Sequence, residues 1–165
     1  MYGSQALESL TTAVQNRAFG RNAGQNVTTG NNNSFFGKST GESVTTGAAN
    51  TLMGVGAGDS YTTGGGNVVI GTNAGQTSTT TSQQTFVGRS AGFYNTGQDA
   101  VGVGYEALVE ANPSTGAKNT AVGAFSLRLL SSGDENTAIG RTAGYSLTTG
   151  DNNTVIGSGA GNNIT

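Results

Sequence analysis

"NTAIGRTAGYSLTTGDNNTVIGSGAGN", residues 136–162, says nearly the same thing twice. Asn136-Thr137 leads through Ala138 and Ile139 to Gly140, with Ala143-Gly144 behind it, and Asn153-Thr154 begins the same phrase seventeen residues later. The glycine that closes each phrase recurs as Gly3, Gly20, Gly37, Gly54, Gly71, Gly88, Gly104, Gly123, Gly140 and Gly157. The spacing is 17 throughout, except for 16 before Gly104 and 19 before Gly123. A fixed period over a whole chain is the mark of a repeat architecture. Seventeen residues are too few for a helix–turn–helix unit or a propeller blade, and suit one coil of a β-solenoid. The expected fold is therefore all-β, a parallel β-solenoid of about nine 17-residue coils. It would form one domain over residues 1–165, with irregular coils at about 89–122. Nine steps at strand spacing make a rod about 45 Å long.

Composition agrees with this and removes several kinds of chemistry. The chain has 29 glycines in 165 residues but only one proline and a net charge of −2. Low-complexity disorder usually brings proline or high net charge, and it does not require apolar residues at fixed intervals. Cysteine and histidine are absent, which removes thiolate chemistry, the commonest general base and the commonest transition-metal ligand. No run approaches the ~18 apolar residues of a membrane span, and the N-terminus lacks a secretory pattern. The expectation is a non-enzymatic protein without metal or cofactor, with no nucleic-acid partner and no membrane insertion.

Numbered from its Asn, the repeat is N-T-x-φ-G-x-x-A-G-x-x-φ-T-T-G-x-x, where φ is apolar. Position 4 is the steadiest apolar site (Phe19, Phe36, Met53, Ile70, Val87, Val103, Val122, Ile139, Ile156) and is read as the row that fills the coil. Position 8 is small and position 12 often apolar, as in Val27, Val44, Tyr61, Leu130 and Leu147. Neighbours in a strand point to opposite faces, so position 3 is then read as outward. Its large members Phe35, Leu52, Val69, Phe86 and Val155 become the candidate subunit interface. Glycines at positions 5, 9 and 15 suit tight corners. The segments 107–111 and 125–130 look locally helical and are expected as short helical turns. The position-1 residues Asn16, Asn33, Asn50, Asn67, Asn119, Asn136 and Asn153 would stack into an amide ladder, with Gln84 and Ala100 as departures.

Few residues suggest a ligand. Glu8, Glu42 and Asp59 share position 10, and paired carboxylates can cleave glycosides, but acids on a solvated rim need no such role. Arg21, Lys38, Arg89 and Arg141 form a partial basic row at position 6. Phe93, Tyr94, Tyr105 and Phe125 gather where the period slips, and with Arg89 they are the candidate ligand-contacting residues. The irregular stretch includes Asn112 to Gly116, with Pro113, and departures from a repeat are where function tends to sit. The pairs Thr28-Thr29, Thr45-Thr46, Thr62-Thr63, Thr79-Thr80 and Thr148-Thr149 would form a threonine array resembling that of ice-binding solenoids, though they fall beside corner glycines.

The phrase "NTAIGRTAGYSLTTGDNNTVIGSGAG" resembles the repeats of bacteriophage tail fibres and long appendage proteins. It is also similar to the head coils of trimeric autotransporter adhesins, although the period here is longer and a Thr-Thr-Gly corner is added. The resemblance implies an elongated homotrimer in a virion or at a cell surface, and contact with host-surface carbohydrate. The function expected is a structural or adhesive rod. A self-assembling extracellular filament is the alternative, since the chain starts and stops in mid-repeat, and an ice-binding solenoid is the second alternative.

Overall fold

The computed structural model describes residues 2–109 and 115–163. Each repeat contributes one three-residue strand: β1 Arg17–Phe19, β2 Ser34–Phe36, β3 Thr51–Met53, β4 Val68–Ile70, β5 Thr85–Val87, β6 Val101–Val103, β7 Thr120–Val122, β8 Thr137–Ile139 and β9 Thr154–Ile156. They form one parallel sheet in chain order, and Tyr2 adds a bridge to Phe19. The register is always like on like, for example Phe35 beside Leu52, and the 16- and 19-residue repeats keep it by absorbing the difference in their turns. The chain is a β-solenoid, as the period implied.

The inward row is position 3, not position 4. Ala18, Phe35, Leu52, Val69, Phe86, Ala121 and Ala138 have no exposed surface, and Val155 is 6% exposed. Phe35, Leu52, Val69, Phe86 and Val155 therefore cannot line an interface, because they are the core of their own chain. Phe19, Met53 and Ile139 at position 4 are 41–43% exposed and Ile156 is 66% exposed. The parity was available from the asparagines. Residues two apart share a strand face, and a laddered, water-excluded Asn at position 1 carries position 3 inward with it.

The ladder runs in two stretches, interrupted at Ala100. Asn33 donates its backbone N–H (2.9 Å) and Nδ2 (3.1 Å) to Asn16 Oδ1, and Nδ2 also donates to the Gly47 carbonyl at 2.9 Å. Asn50 repeats this on Asn33 and Gly64, and Asn67 on Asn50 and Thr81. Asn119, Asn136 and Asn153 rebuild the ladder further along. Between these runs Gln84 takes the place. Its N–H donates to Asn67 Oδ1 (3.0 Å), its Nε2 to Gly97 O and Asn95 Oδ1, and its Oε1 accepts from the Tyr61 and Thr81 hydroxyls. Burial pushes the Tyr61 hydroxyl far above its usual range, so it stays a donor.

Two glycine rows explain the coil's tight geometry. At position 5 Gly20 has φ +136°, and a Cβ there would lie 2.4 Å from the Gly37 carbonyl oxygen of the next coil. Position 9 is different. Gly92 has φ +62°, and its Cβ would lie 2.5 Å from the Phe86 ring. In two neighbouring coils a small position 3 meets a large position 9, Gly102 with Leu108 and Ala121 with Leu127, whereas Ala18 and Ala138 keep Gly24 and Gly144, beside which Leu7 and Leu127 of the preceding coils reach. Leu108 and Leu127 take left-handed φ (+55° and +48°) and are buried, so core filling outweighs a backbone cost of about 1–2 kcal/mol. These segments are turns, and no helix forms among the described residues. The helical expectation for 107–111 and 125–130 failed because leucine was given its helical propensity, whereas here it is a space-filler in a glycine conformation; residues 110 and 111 lie outside the described residues.

Two outcomes test this packing. Asn50→Ala leaves the Asn67 donors and the Gly64 carbonyl without partners and is expected to cost about 3 kcal/mol, against much less for Asn153→Ala near the ladder's end, measured by urea unfolding. Phe86→Ala and Gly92→Leu should each cost about 3 kcal/mol. The double variant, which copies the Gly102–Leu108 arrangement, should lose less than either single change, and an additive loss would refute the compensation.

Candidate functional site

The turn joining positions 6 to 11 forms a second surface beside the sheet. Side chains at one repeat position stand over one another there, so rows read across coils become patches. Position 10 runs Phe93, Val109, Arg128, Tyr145 in successive coils, and positions 6 and 7 add Arg89, Ser90, Tyr105, Glu106 and Phe125.

The structure brings the sequence-selected residues together in two aromatic pairs. Phe93 and Tyr94 meet edge-on with centroids 4.5 Å apart, and Tyr105 meets Phe125 edge-on at 5.1 Å. The Arg89 guanidinium lies 5.6 Å from the Tyr105 centroid. Phe93, Tyr94 and Phe125 are half-buried and Tyr105 is exposed, so the rings present surface to solvent. Of the irregular stretch, Asn112, Pro113 and Ser114 lie outside the described residues.

The centre of the cluster is a pair that the sequence reading missed. Arg128 Nε donates to Glu106 Oε2 at 2.9 Å, and Nη1 reaches the Tyr145 hydroxyl at 3.4 Å. The same guanidinium lies 5.8 Å from the Phe125 centroid and 6.0 Å from that of Tyr145. The neighbouring Tyr105 hydroxyl, with Arg128 behind it, holds Glu106 below the usual carboxylate range, so it is ionised at neutral pH. Ser90, Phe93, Tyr94, Glu106, Val109 and Arg128 line a shallow hollow of about 170 Å³. Continuing the position-10 row past Asp59 would have found Arg128. Glu106 gave no such signal, because only the turn geometry places position 7 beside position 10 of the following repeat.

Several of the other acids hold neighbouring coils together. Glu8 Oε2 accepts from Gln25 Nε2 at 2.8 Å, and Glu42 Oε1 accepts from Asn22 Nδ2 at 3.3 Å. Asp134 Oδ1 accepts from the Ala117 N–H and Asp151 Oδ1 from the Asp134 N–H, at 2.7 and 2.8 Å, a second ladder at position 16. The first threonine of three of the pairs is also engaged. Thr28, Thr45 and Thr62 donate their hydroxyls to the carbonyls of Thr45, Thr62 and Thr79. These three hydroxyls are turned to the backbone of the next coil. Among the described residues no group of three or more acids gathers as a metal site.

No protein-family model matches the chain, nor does any curated protein or solved structure.

Asp59 offers a pH test of whether position 10 is working chemistry or a crowded rim. Burial, and then the charge of Glu42, push its carboxyl above the usual range. Folding raises this pKa, so the ionised form costs stability at neutral pH, and the cost is absent once the pH falls below the unfolded value of 3.8. Asp59→Asn should therefore raise the melting temperature by a few degrees at pH 7 and leave it unchanged at pH 3. A loss at pH 7 would refute the burden assigned to the charge.

Proposed function

We propose that this chain is a non-enzymatic structural and adhesive rod. It assembles with copies of itself as a homotrimeric shaft segment of a phage tail fibre or cell-surface appendage, in a virion or an extracellular setting. The observation that carries the proposal is the outward face of the sheet. Parallel sheets are nearly always covered on both faces. Here one face closes the core, while the other carries a continuous apolar row, Phe19, Phe36, Met53, Ile70, Val87, Val103, Val122, Ile139 and Ile156, bordered by position-2 residues that are mostly Thr, Val or Ser. Tyr2, Phe19 and Phe36 stack in parallel along it, with centroids 5.8 and 5.1 Å apart. A stripe this long on a solvated monomer is a liability, and three such stripes meeting on an axis would cover one another. The interface so proposed is position 4, in place of the position-3 residues that fill the core. The reading gives the rod no nucleic-acid partner, no membrane insertion, no cofactor and no catalysis.

Light scattering with negative-stain imaging tests this. A discrete species near three times the 16.4 kDa chain mass is expected, and Ile70→Lys with Val103→Lys should reduce it to a folded monomer with unchanged circular dichroism. Open-ended rods would favour the filament alternative. A wild-type monomer would defeat self-assembly altogether.

A further inference from the structure

We infer that the hollow beside the Glu106–Arg128 pair is a binding site for a single neutral pyranose unit of a glycan, stacked on the Phe93–Tyr94 edge and hydrogen-bonded by the ion pair. The inference deepens the adhesive part of the proposed function and does not depend on the oligomer.

Three properties of the site point to that chemistry. The first is size. A hollow of about 170 Å³ is well below the ~300 Å³ at which drug-sized pockets begin, and it suits one six-membered ring with the rest of the ligand in solvent. The second is charge. The lining holds one acid and one base, and they are paired at 2.9 Å, so the lining is neutral, with Arg89 beyond it against Tyr105. The third is the pattern of donors and acceptors. A guanidinium has five N–H donors and a carboxylate about four acceptor sites. The Arg128 contacts to Glu106 and Tyr145 use only part of that capacity. Adjacent hydroxyls of a sugar both donate and accept, and a neighbouring acid and base can bridge them. The C–H face of the ring needs an apolar platform, which the half-buried Phe93, Tyr94 and Val109 supply.

Preorganisation also favours a site over a surface accident. Arg128 is held between the Phe125 and Tyr145 rings, at 5.8 and 6.0 Å, as well as by Glu106. Little side-chain entropy remains to be lost when a ligand docks. The row that supplies these residues carries Gln25, Glu42, Asp59 and Gln76 in the earlier coils. From the 16-residue repeat onward it becomes Phe93, Val109, Arg128 and Tyr145.

Saturation-transfer NMR on the full chain tests the inference, with the methyl glycosides of glucose, galactose, mannose and N-acetylglucosamine as probes and a methyl sialoside as the anionic arm. The expected result is saturable millimolar binding of at least one neutral glycoside, with transfer strongest to the protons of one ring face. Tyr94→Leu and Glu106→Gln should each weaken it about tenfold, which corresponds to 1.4 kcal/mol, while Tyr2→Leu, on the sheet face, leaves it unchanged. Glu106→Gln preserves shape and decides the matter should Tyr94→Leu fail to fold. The inference is overturned if no neutral glycoside saturates, if only the sialoside binds, or if Tyr2→Leu weakens binding equally. None of these results alters the mass seen by light scattering, so the site and the trimer stand or fall separately.

Discussion

In coil after coil a corner carbonyl faces inward and needs a donor. The position-1 asparagine meets that demand. Its Nδ2 donates to a corner carbonyl, as from Asn50 to Gly64 O at 3.0 Å, and its Oδ1 takes two donors from the asparagine of the next coil. An unmade hydrogen bond of this kind costs about 1–3 kcal/mol, so each coil depends on its neighbour for polar satisfaction as well as apolar burial. That reciprocity makes a single repeat unstable alone and sets the like-on-like register. It also decides the parity of the sheet, and so which row is buried and which is offered to a partner.

Given that parity, the core is a problem of volume solved locally. Phe35 and Phe86 fill their coils and leave space only for glycine at position 9, where a Cβ would meet their rings at 2.5–2.6 Å. Where Gly102 and Ala121 leave space, Leu108 and Leu127 enter from the opposite wall at a backbone conformation that leucine seldom adopts. Leu127 further reaches over Gly144, whose Cβ would come within 2.9 Å of its Cδ2. The departures at Gly102–Leu108 and Ala121–Leu127 are thus paired within their coils, and the like-on-like register of the sheet persists across them.

The same swap has a consequence on the outer surface. Leu108 and Leu127 lie in the coils that follow the 16- and 19-residue repeats, and beside them the turn rows carry Phe93, Tyr105, Phe125, Arg128 and Tyr145. The altered core and the aromatic–ionic cluster are inner and outer sides of the same turns. A rod that is otherwise uniform acquires one distinct place along its length, built without any change to the strands beneath.

The 17-residue period, read from the spacing of Gly3 to Gly157, determined the solenoid, its strand order and the asparagine ladder, because stacking identical coils puts identical positions in contact. It also brought Phe93, Tyr94, Tyr105, Phe125 and Arg89 into one region. The structure reversed the expected parity, with Phe35 and Leu52 inside and Phe19 and Ile156 outside. Both rows are apolar, so hydrophobicity could not separate them, and only the hydrogen-bonded asparagines two residues before position 3 settle the question. Tertiary structure alone joined Glu106 to Arg128, 22 residues apart. That contact crosses between two positions of the repeat through a left-handed turn, and a periodic reading compares each position only with itself.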